Sequence, residues 1–439
     1  MKPLSILAVL LVFPVSALAT VRNVPADFAT IQAAMNASSS GDEVVVAPGT
    51  YAENIVLTAV HSGVWLHSSA GAAATTIDGG LVSHVIKCTD VSSATTIEGF
   101  TLTRGRWFVG GGMNCFASSP TIKNCVVRAN VAIGGGGGGI YLNQGCNPTI
   151  LDSEFTDNQA TNGSGGGIYS DNNCSPHIER CNIHHNTTVA YGGGLVTGDF
   201  STAVIINNEI HHNTASLQGG GAWFARQGAL SVMNNRFYQN VAPSGGAMWI
   251  EGPGATIEAN QIYENRASTG NGAAGIQCTA SSVTIRNNVF WLNLGGAVLV
   301  VNGNPDSFAL IEGNTIVRNQ LGAGIYVQIR STVRRNIVAY QVLGSGIGGF
   351  GSVTFECNDV FQNAGGNYQG FADQTGLNGN ISVDPLFCNL LSFNLTIAEG
   401  SPCVPANSPC GALIGALGPA CGPVATKQAT WGAVKALYR

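Results

Sequence analysis

Residues 150–169 read ILDSEFTDNQATNGSGGGIY, and this stretch contains the pattern that decides the fold. Asn158 follows the apolar residues Ile150 and Phe155 by eight and three positions, and it precedes the glycine cluster Gly165-Gly166-Gly167. The apolar residues alternate mostly with polar ones, which is typical of strands because successive side chains of a strand point to opposite faces. Glycine lets the chain turn sharply at positive φ. The stretch therefore predicts short strands joined by tight bends.

The pattern repeats along most of the chain, with one asparagine at the same place in each unit. The units are 25 to 28 residues long, and no helical pattern separates their strands. A period of this length with two or three short strands per unit predicts a solenoid of parallel strands. The aligned asparagines are Asn130, Asn158, Asn186, Asn213, Asn240, Asn265, Asn293 and Asn319.

We interpret the repeated asparagine as a structural ladder. Its side-chain amide can bond to the amides of the rungs above and below, and asparagine tolerates the left-handed geometry of a tight bend. Residues that act in catalysis need not repeat, and these do. A second column, five residues earlier, contains Asn208, Asn235, Asn260, Asn288 and Asn314.

Two repeated motifs resemble those of known families. Phe155-Thr156-Asp157-Asn158 and Phe290-Trp291-Leu292-Asn293, with Gly245-Gly246-Ala247-Met248, resemble the FxxN and GGA(I/L/V) motifs of polymorphic outer-membrane proteins. The wider pattern over roughly residues 75–365 resembles the parallel β-helix repeats of the pectin-lyase-like superfamily. The resemblance implies an all-β, right-handed parallel β-helix with a short N-terminal capping helix and a Cys-rich C-terminal cap. It implies no single function, because this fold hosts lyases, hydrolases, esterases and adhesins.

The chain divides into four predicted segments. Lys2, the apolar run after it and the small residues before position 20 are typical of a signal peptide, so we expect a secreted protein, extracellular or at the cell surface. Residues 29–37 have the pattern of a short amphipathic helix that caps the open end of a solenoid. The predicted segments are a signal peptide (1–19), the β-helix with its N-terminal cap (20–385), a Cys-rich C-terminal cap (386–421) and a C-terminal tail (422–439).

Twelve cysteines are compatible with an oxidising compartment. Cys146 and Cys174 should stack one rung apart and are a disulfide candidate, with Cys115 competing for Cys146. Cys125 and Cys181 share an interior column but lie two rungs apart, so we expect both to remain unpaired. Four further cysteines near the C-terminus predict two disulfides with three possible pairings: Cys388, Cys403, Cys410 and Cys421.

The motifs that would identify an enzyme of the resembled superfamily are absent. Pectate lyases, polygalacturonases and pectin methylesterases have recognisable catalytic strings, and none occurs in this sequence, which favours a protein without catalytic activity but leaves that question open. The weak alternative is an acidic patch of Glu154, Glu179 and Glu209, since a glycoside hydrolase needs two carboxyl groups about 5–10 Å apart. The net charge of −5 argues against nucleic acid as a partner. We expect no cofactor and no metal, because two stacked histidines alone make a poor metal site.

Two outward columns are rich in aromatic residues. Contiguous exposed aromatics indicate a binding surface, for which an extracellular polysaccharide is a natural ligand. The alternative is that stacked rings only stabilise adjacent strands. The first column contains His184, His211, Tyr238, Tyr263 and Trp291, and the second contains Tyr141, Tyr169, Val196, Trp223 and Trp249.

The leading hypothesis is a secreted or surface-associated β-helix protein that binds extracellular polysaccharide or a cell surface without catalysis. We expect it to be monomeric and to have no transmembrane segment in the mature chain. One alternative is a polysaccharide lyase or glycoside hydrolase that acts on uronate-rich polymers. Another is an adhesin or passenger-type surface protein held by its C-terminal tail.

Overall fold

The structure is a computed structural model and describes most of the chain. The predicted signal peptide and C-terminal tail lie outside the described residues, apart from Ala19 and Gly422. The described residues are 19–171, 173–225, 228–269, 272–279, 282–301 and 307–422.

The described residues form a right-handed parallel β-helix, as the resemblance implied. Each turn contributes one strand to each of three long sheets of 14, 13 and 13 described strands, and seven turns add a strand to a short fourth sheet. Neighbouring strands of these four sheets are parallel and in register except for one shift between Ala273 and Ile276. The register follows from the period, because a strand slipped by one residue would turn its apolar side chains outward.

A turn visits sheet 1, sheet 2, the short sheet where it is present, and sheet 3, in that order. Sheet 1 contains Val21–Val24, Glu43–Val46, Trp65–Ser68, Thr96–Glu98, Thr121–Lys123, Thr149–Leu151, His177–Glu179, Val204–Ile206, Ser231–Met233, Ala255–Glu258, Val283–Arg286, Phe308–Glu312, Arg330–Arg334 and Val353–Glu356. Sheet 2 contains Gly49–Tyr51, Thr75–Asp78, Thr101–Thr103, Val126–Arg128, Glu154–Thr156, Asn182–His184, Glu209–His211, Arg236–Tyr238, Gln261–Tyr263, Val289–Trp291, Thr315–Val317, Ile337–Ala339 and Asp359–Phe361. The short sheet contains Arg106–Trp107, Val131–Ala132, Gln159–Ala160, Thr187–Thr188, Thr214–Ala215, Val241–Ala242 and Arg266–Ala267. Sheet 3 contains Ile55–Leu57, Ile86–Thr89, Met113–Phe116, Ile140–Asn143, Ile168–Ser170, Leu195–Thr197, Ala222–Phe224, Met248–Glu251, Ala273–Thr279, Gly296–Val301, Ile325–Val327, Ile347–Gly349 and Tyr368–Gln369.

In-register stacking aligns the inward side chains into columns that fill the solenoid. Ile150 pairs with Ile178 on sheet 1, and Phe155 pairs with Ile183 on sheet 2. These side chains have no exposed surface and belong to one hydrophobic core that runs along the axis. Burial of this apolar surface is the main stabilising contribution, at roughly 25 cal/mol per Å².

The first asparagine ladder is continuous from Asn130 to Asn319. At each step the amide oxygen of one asparagine accepts the backbone N–H of the previous one at 3.1 Å and its side-chain N–H at 2.9–3.1 Å. The side-chain N–H also donates to a strand carbonyl, as Asn186 does to Phe155 at 2.9 Å. The ladder therefore satisfies buried backbone groups at a bend, which supports its interpretation as structural.

The second asparagine column forms an equivalent ladder at the bend between sheets 1 and 2. It runs from Asn208 to Asn380 with the same paired bonds at each step. In both ladders the left-handed residue is the one before the asparagine, such as Asp157 at φ 56° and Asn207 at φ 58°. The expectation that the asparagine itself takes this geometry is wrong, because its side chain must point inward to reach the next rung.

Both ends of the solenoid are capped. The N-terminal helix spans Ile31–Asn36, slightly less than expected, and the Thr30 hydroxyl accepts the N–H of Ala33 at 3.1 Å. A single 3₁₀ turn follows at Ala59–His61. At the other end a small sheet of Phe387–Asn389, Asn394–Ala398 and Pro419–Cys421 packs on the outer face of sheet 2, against residues such as Val317 and Ile337.

The C-terminal disulfides differ from the expected set. Cys388 pairs with Cys421, but Cys410 pairs with Cys357, and Cys403 is a buried free thiol. Cys357 has positive φ immediately before a ladder asparagine, so its side chain points away from the core toward the cap. Cys357 was not among the predicted disulfide cysteines, because its position directly before Asn358 belongs to the repeat and not to the C-terminal segment.

The Cys146–Cys174 disulfide prediction is wrong. Both are buried free thiols, as are Cys125 and Cys181, whose unpaired state is confirmed. Cys174 Sγ accepts the backbone N–H of Cys146 at 3.2 Å, and Cys146 Sγ accepts that of Ser118 at 3.2 Å. Each sulfur is therefore directed at a backbone N–H one rung earlier, and both point the same way along the axis. A disulfide would require one of the two side chains to turn toward the other. Ser118, and not Cys115, is the member of this column one rung earlier; Cys115 pairs with Leu142 on sheet 3.

Candidate functional site

The aromatic strip, defined as His184, His211, Tyr238, Tyr263 and Trp291, lies on the outer face of sheet 2 over five consecutive rungs. Its rings form an unbroken stack. Successive ring centroids are 4.8, 4.5, 5.0 and 4.2 Å apart, and the ring planes differ by 2–9°. The alignment of these five residues is therefore as the sequence predicted.

The stack leaves no ring face inside the strip free for a ligand. Each of the three inner rings, His211, Tyr238 and Tyr263, is covered on both faces by its neighbours. At the two ends, the Thr156 hydroxyl lies 3.2 Å from His184 Nδ1, and the centroid of the Phe393 ring is 6.4 Å from that of Trp291. Sugars bind aromatic residues through ring faces, so this geometry favours the stabilising interpretation of the strip.

Charged groups beside the strip are paired with each other. Arg236 Nη1 contacts Glu209 Oε1 at 2.6 Å, and its Nη2 donates to the Tyr263 hydroxyl at 2.9 Å. Tyr238 donates its hydroxyl to Glu209 at 3.3 Å. Burial, together with the Glu209 carboxylate, raises the pKa of Tyr238 to about 12. Arg236, Glu209, Tyr238 and Tyr263 therefore form one connected network.

Four histidines form two crossed pairs at the N-terminal end of the strip. His184 stacks on His211 and His185 stacks on His212, both at 4.8 Å, and Nδ1 atoms within each rung are 2.7 Å apart. Burial and the neighbouring imidazoles lower the pKa of His211 to about 3 and also lower that of His212. Across the described ranges, no group of three or more His, Cys, Asp or Glu side chains is placed to hold a metal ion.

Of the three acids of the weak catalytic alternative, two share a column and the third lies on a different sheet. Glu154 and Glu209 share one column of sheet 2 with Asn182 between them, whereas Glu179 lies on sheet 1. Glu154 contacts His184 Nε2 at 2.8 Å, and Glu179 contacts His177 at 3.0 Å. The side chains of Glu154 and Glu209 are 41% and 42% exposed.

The second aromatic column lies on the outer face of sheet 3 but is largely covered. Tyr141 and Tyr169 stack at 5.4 Å, and the Tyr141 hydroxyl donates to Asp171 at 2.7 Å. Val196 is fully buried, and Trp249 is only 7% exposed. This part of the column therefore belongs to the packing of the loops that border sheet 3.

A groove of about 550 Å³ opens over the same column beyond Trp249, where Gln277 is still only 7% exposed but Leu299 and Tyr326 are half-buried and Gln369 is exposed. Its floor follows the outward residues of consecutive rungs, Gln277, Leu299 and Tyr326, and reaches Gln369. One side is formed by small residues at or just before the sheet 3 strands of the same rungs, such as Ala273, Gly296 and Ala323. We call this the sheet 3 groove, and it is lined by Gly272, Ala273, Gln277, Gly296, Val298, Leu299, Val301, Gly322, Ala323, Tyr326, Gln328 and Gln369.

Tyr326 provides an aromatic ring that is free of ring stacking. It pairs in register with Gly348, and a Cβ at that glycine would lie 3.2 Å from Tyr326 Cδ2. The ring therefore occupies space that a side chain at position 348 would fill. Over the described ranges no other aromatic ring stacks on Tyr326, in contrast to Tyr238 and Tyr263, which are sandwiched.

The polar groups of the groove are side-chain amides. Gln277 accepts the N–H of Ala273 at 3.2 Å, and the Gln328 side-chain N–H lies 3.5 Å from the Tyr326 hydroxyl. No Asp, Glu, Lys, Arg or His lines the groove among the residues that the structure describes. This site was not predicted, because the run of aromatic residues that marks the column in the sequence stops at Trp249. Counting on by one rung at a time would have reached Gln277, Leu299 and Tyr326.

Comparisons with known proteins agree with the fold. The sequence model of the family described as "right handed beta helix region" matches residues 158–308 and 193–360. No curated protein matches the chain. The motif resemblance to polymorphic outer-membrane proteins is not reflected in these matches.

Three solved structures are similar to the chain at low identity. The pectate lyase Pel9A is 15% identical with a TM-score of 0.36, over 82% of this chain and 78% of that one. The PL6 family alginate lyase AlyGC is 14% identical with a TM-score of 0.45, over 83% of this chain and 53% of that one. The catalytic unit of a GH87 α-1,3-glucanase from Streptomyces thermodiastaticus is 14% identical with a TM-score of 0.31, over 77% of this chain and 65% of that one.

Proposed function

We propose that this protein binds a polysaccharide chain in the sheet 3 groove without cleaving it. The observation that carries the proposal is the groove itself, with the open ring of Tyr326 set among the side-chain amides of Gln277, Gln328 and Gln369. A pocket with an aromatic surface and a few placed polar groups is the usual form of a small-ligand site.

The shape of the groove favours a polymer. Its floor extends over five rungs from Gln277 to Gln369, and four steps of ~4.8 Å give a length of ~19 Å along the solenoid axis. A sugar ring offers an apolar C–H face to Tyr326 and hydroxyl groups to the amides, which both donate and accept hydrogen bonds. A chain of such rings would repeat these contacts along the groove.

The chemistry of the lining favours binding over catalysis. General acid–base catalysis requires a titratable side chain within hydrogen-bond reach of the reacting atoms. The described lining contains neither a carboxyl group nor an imidazole, and Tyr326 is its one titratable side chain.

We also propose that the polymer is extracellular. The signal-peptide pattern before position 20 supports export. The disulfides Cys357–Cys410 and Cys388–Cys421 support an oxidising compartment. Fractionation of expressing cells tests this proposal, and retention of the whole protein in the cytoplasm would contradict it. In the described residues, no helix is long and apolar enough to cross a membrane.

Affinity electrophoresis and calorimetry against a panel of polysaccharides test the binding proposal. We expect Tyr326→Ala to weaken binding at least tenfold and Tyr326→Phe, which retains the ring, to keep most of it. Trp65→Ala is the matched control, because Trp65 is a 41% exposed aromatic residue on sheet 1, away from the groove. Binding that survives Tyr326→Ala but is lost with Trp65→Ala, or no binding to any polymer, would overturn the proposal.

A hydrolase is the second candidate, and one observation favours it. Glu154 and Glu209 lie two rungs apart in one column, ~9.6 Å between backbones, which is near the carboxyl separation of inverting glycosidases. New reducing ends released from any polymer, and abolished by Glu154→Gln, would support it over binding alone. The adhesin alternative depends on the tail, which is outside the described residues, and it remains a prediction.

A further inference from the structure

We infer that the sheet 3 groove selects uncharged polysaccharides and rejects uronate-rich ones. This inference rests on the proposed function and names the chemical class of its ligand. It departs from the sequence-based alternative of a uronate-directed protein.

The described lining contains no cation that could pair with a carboxylate. Proteins recognise carboxylates with guanidinium forks, ammonium groups or bound metal ions, whereas the polar side chains of the groove are three glutamines and one tyrosine. Glutamine amides match sugar hydroxyls, since each amide donates and accepts.

On the described strands of sheet 3, the one cationic side chain is too distant to compensate. Lys87 belongs to the same outward column, but seven strand steps separate it from Gln277, which is ~34 Å at ~4.8 Å per step. That distance exceeds the Debye length of ~8 Å at physiological salt several times. Arg330 follows the lining residue Gln328 in sequence but lies on sheet 1, with its guanidinium carbon 5.7 Å from the ring centroid of Phe308.

One carboxylate, that of Glu251, lies one rung before the first strand of the groove. Glu251 lies one rung before Thr279, the residue two positions after Gln277, and accepts a hydrogen bond from Trp249 Nε1 at 3.0 Å. A carboxylate at this end repels a polyanion and does not affect a neutral chain. A uronate entering the groove would also lose hydration without gaining a counter-charge, which is unfavourable.

The experiment compares neutral and anionic polymers of similar length. Binding of a soluble neutral glucan, a glucomannan, polygalacturonate and alginate is measured by calorimetry at 20 and 500 mM NaCl. We expect the protein to bind a neutral polymer at least tenfold more tightly than either uronate polymer, with less than a twofold change between the two salt concentrations.

Charge-introducing variants make the test specific to the groove. We expect Gln328→Arg and Gln369→Arg, two lining positions with exposed surface, to gain uronate binding that is weakened by salt. Gln159→Arg, at an exposed position of the short sheet, is the matched control and should gain none.

The possible results distinguish a failure of the selectivity for neutral polymers from a failure of polysaccharide binding itself. Uronate binding by the unmodified protein that equals or exceeds neutral binding, and is lost with Tyr326→Ala, overturns the selectivity and keeps the function. Binding of neither class overturns the proposed function and this inference with it.

Discussion

A buried carboxyl group beneath the C-terminal cap makes the stability of this region depend on pH. Asp359 lies on the last strand of sheet 2 and has no exposed surface. Its Oδ1 accepts the N–H of Val383 at 3.1 Å, and the Cys403 thiol lies 3.3 Å from its Oδ2. The other titratable groups near it are Asp384, Tyr340 and Tyr368, of which Tyr340 donates its hydroxyl to Asp384 at 3.1 Å. Among these described neighbours no cation pairs with Asp359.

The size of the stability change with pH follows from the effect of burial on the pKa of Asp359. Burial raises the pKa of Asp359 from its ordinary 3.8 to about 7. At 1.36 kcal/mol per pKa unit, this difference corresponds to about 4 kcal/mol. Because the folded state binds the proton more tightly than the unfolded state, the stabilisation is fully present below pH 4. It is lost as the pH rises through 7, so the cap should be least stable in alkaline solution.

The substitution Asp359→Asn isolates this effect, because the amide oxygen can still accept the N–H of Val383 while the charge is removed. The free energy of opening of residues 384–421 is measured by hydrogen exchange between pH 4 and pH 8.5. We expect the unmodified protein to lose up to about 4 kcal/mol relative to Asp359→Asn across this range. Asp373→Asn, at an exposed aspartate, is the control and should show no such difference. A difference between the unmodified protein and Asp359→Asn that stays constant with pH would refute the reasoning.

Three further predictions concern the solenoid and its cap. Asn213→Ala removes two hydrogen bonds that the Asn213 amide donates and two that its oxygen accepts from Asn186. We expect the free energy of unfolding, measured by chemical denaturation, to fall by about 3–5 kcal/mol. A decrease below about 1 kcal/mol would contradict the stabilising role of the ladder. Phe237→Ala opens a cavity at a fully buried position and should cost about 3–5 kcal/mol in the same assay, unless the neighbouring rungs collapse into the space. Cys357→Ser should destabilise the cap by about 2–4 kcal/mol through loss of the disulfide to Cys410, with faster proteolysis after residue 384 as the readout; unchanged proteolysis would show that packing alone holds the cap.

Much of the architecture was predictable because it is repeated. The period located the bends, and counting back from each asparagine separated the core column of Ile150 and Ile178 from the outward columns. The same counting placed Cys125 and Cys181 two rungs apart and unpaired. A repeat carries this information locally, since each rung bonds to its immediate neighbours.

Contacts between the repeat and its cap were not predictable in the same way. Cys357 occupies a bend position of the repeat, yet its partner Cys410 is 53 residues later in a segment without periodicity. Asp359 looks like an ordinary outward residue of sheet 2 and is buried only because the cap packs over it. Neither outcome can be read from spacing, because the position of the cap is decided by tertiary packing.

By itself, the sequence determined the solenoid, its two asparagine ladders and the alignment of each side-chain column. Only the tertiary structure decided which aligned columns offer a surface to a ligand. The column through Tyr238 and Tyr263 has the stronger sequence signal, but its rings cover one another's faces. The column through Leu299 and Tyr326 has a weak signal but opens into a groove, because Gly348 leaves room for the ring of Tyr326. Alignment depends on a local period, whereas accessibility depends on how neighbouring rings and loops fill the space above each strand.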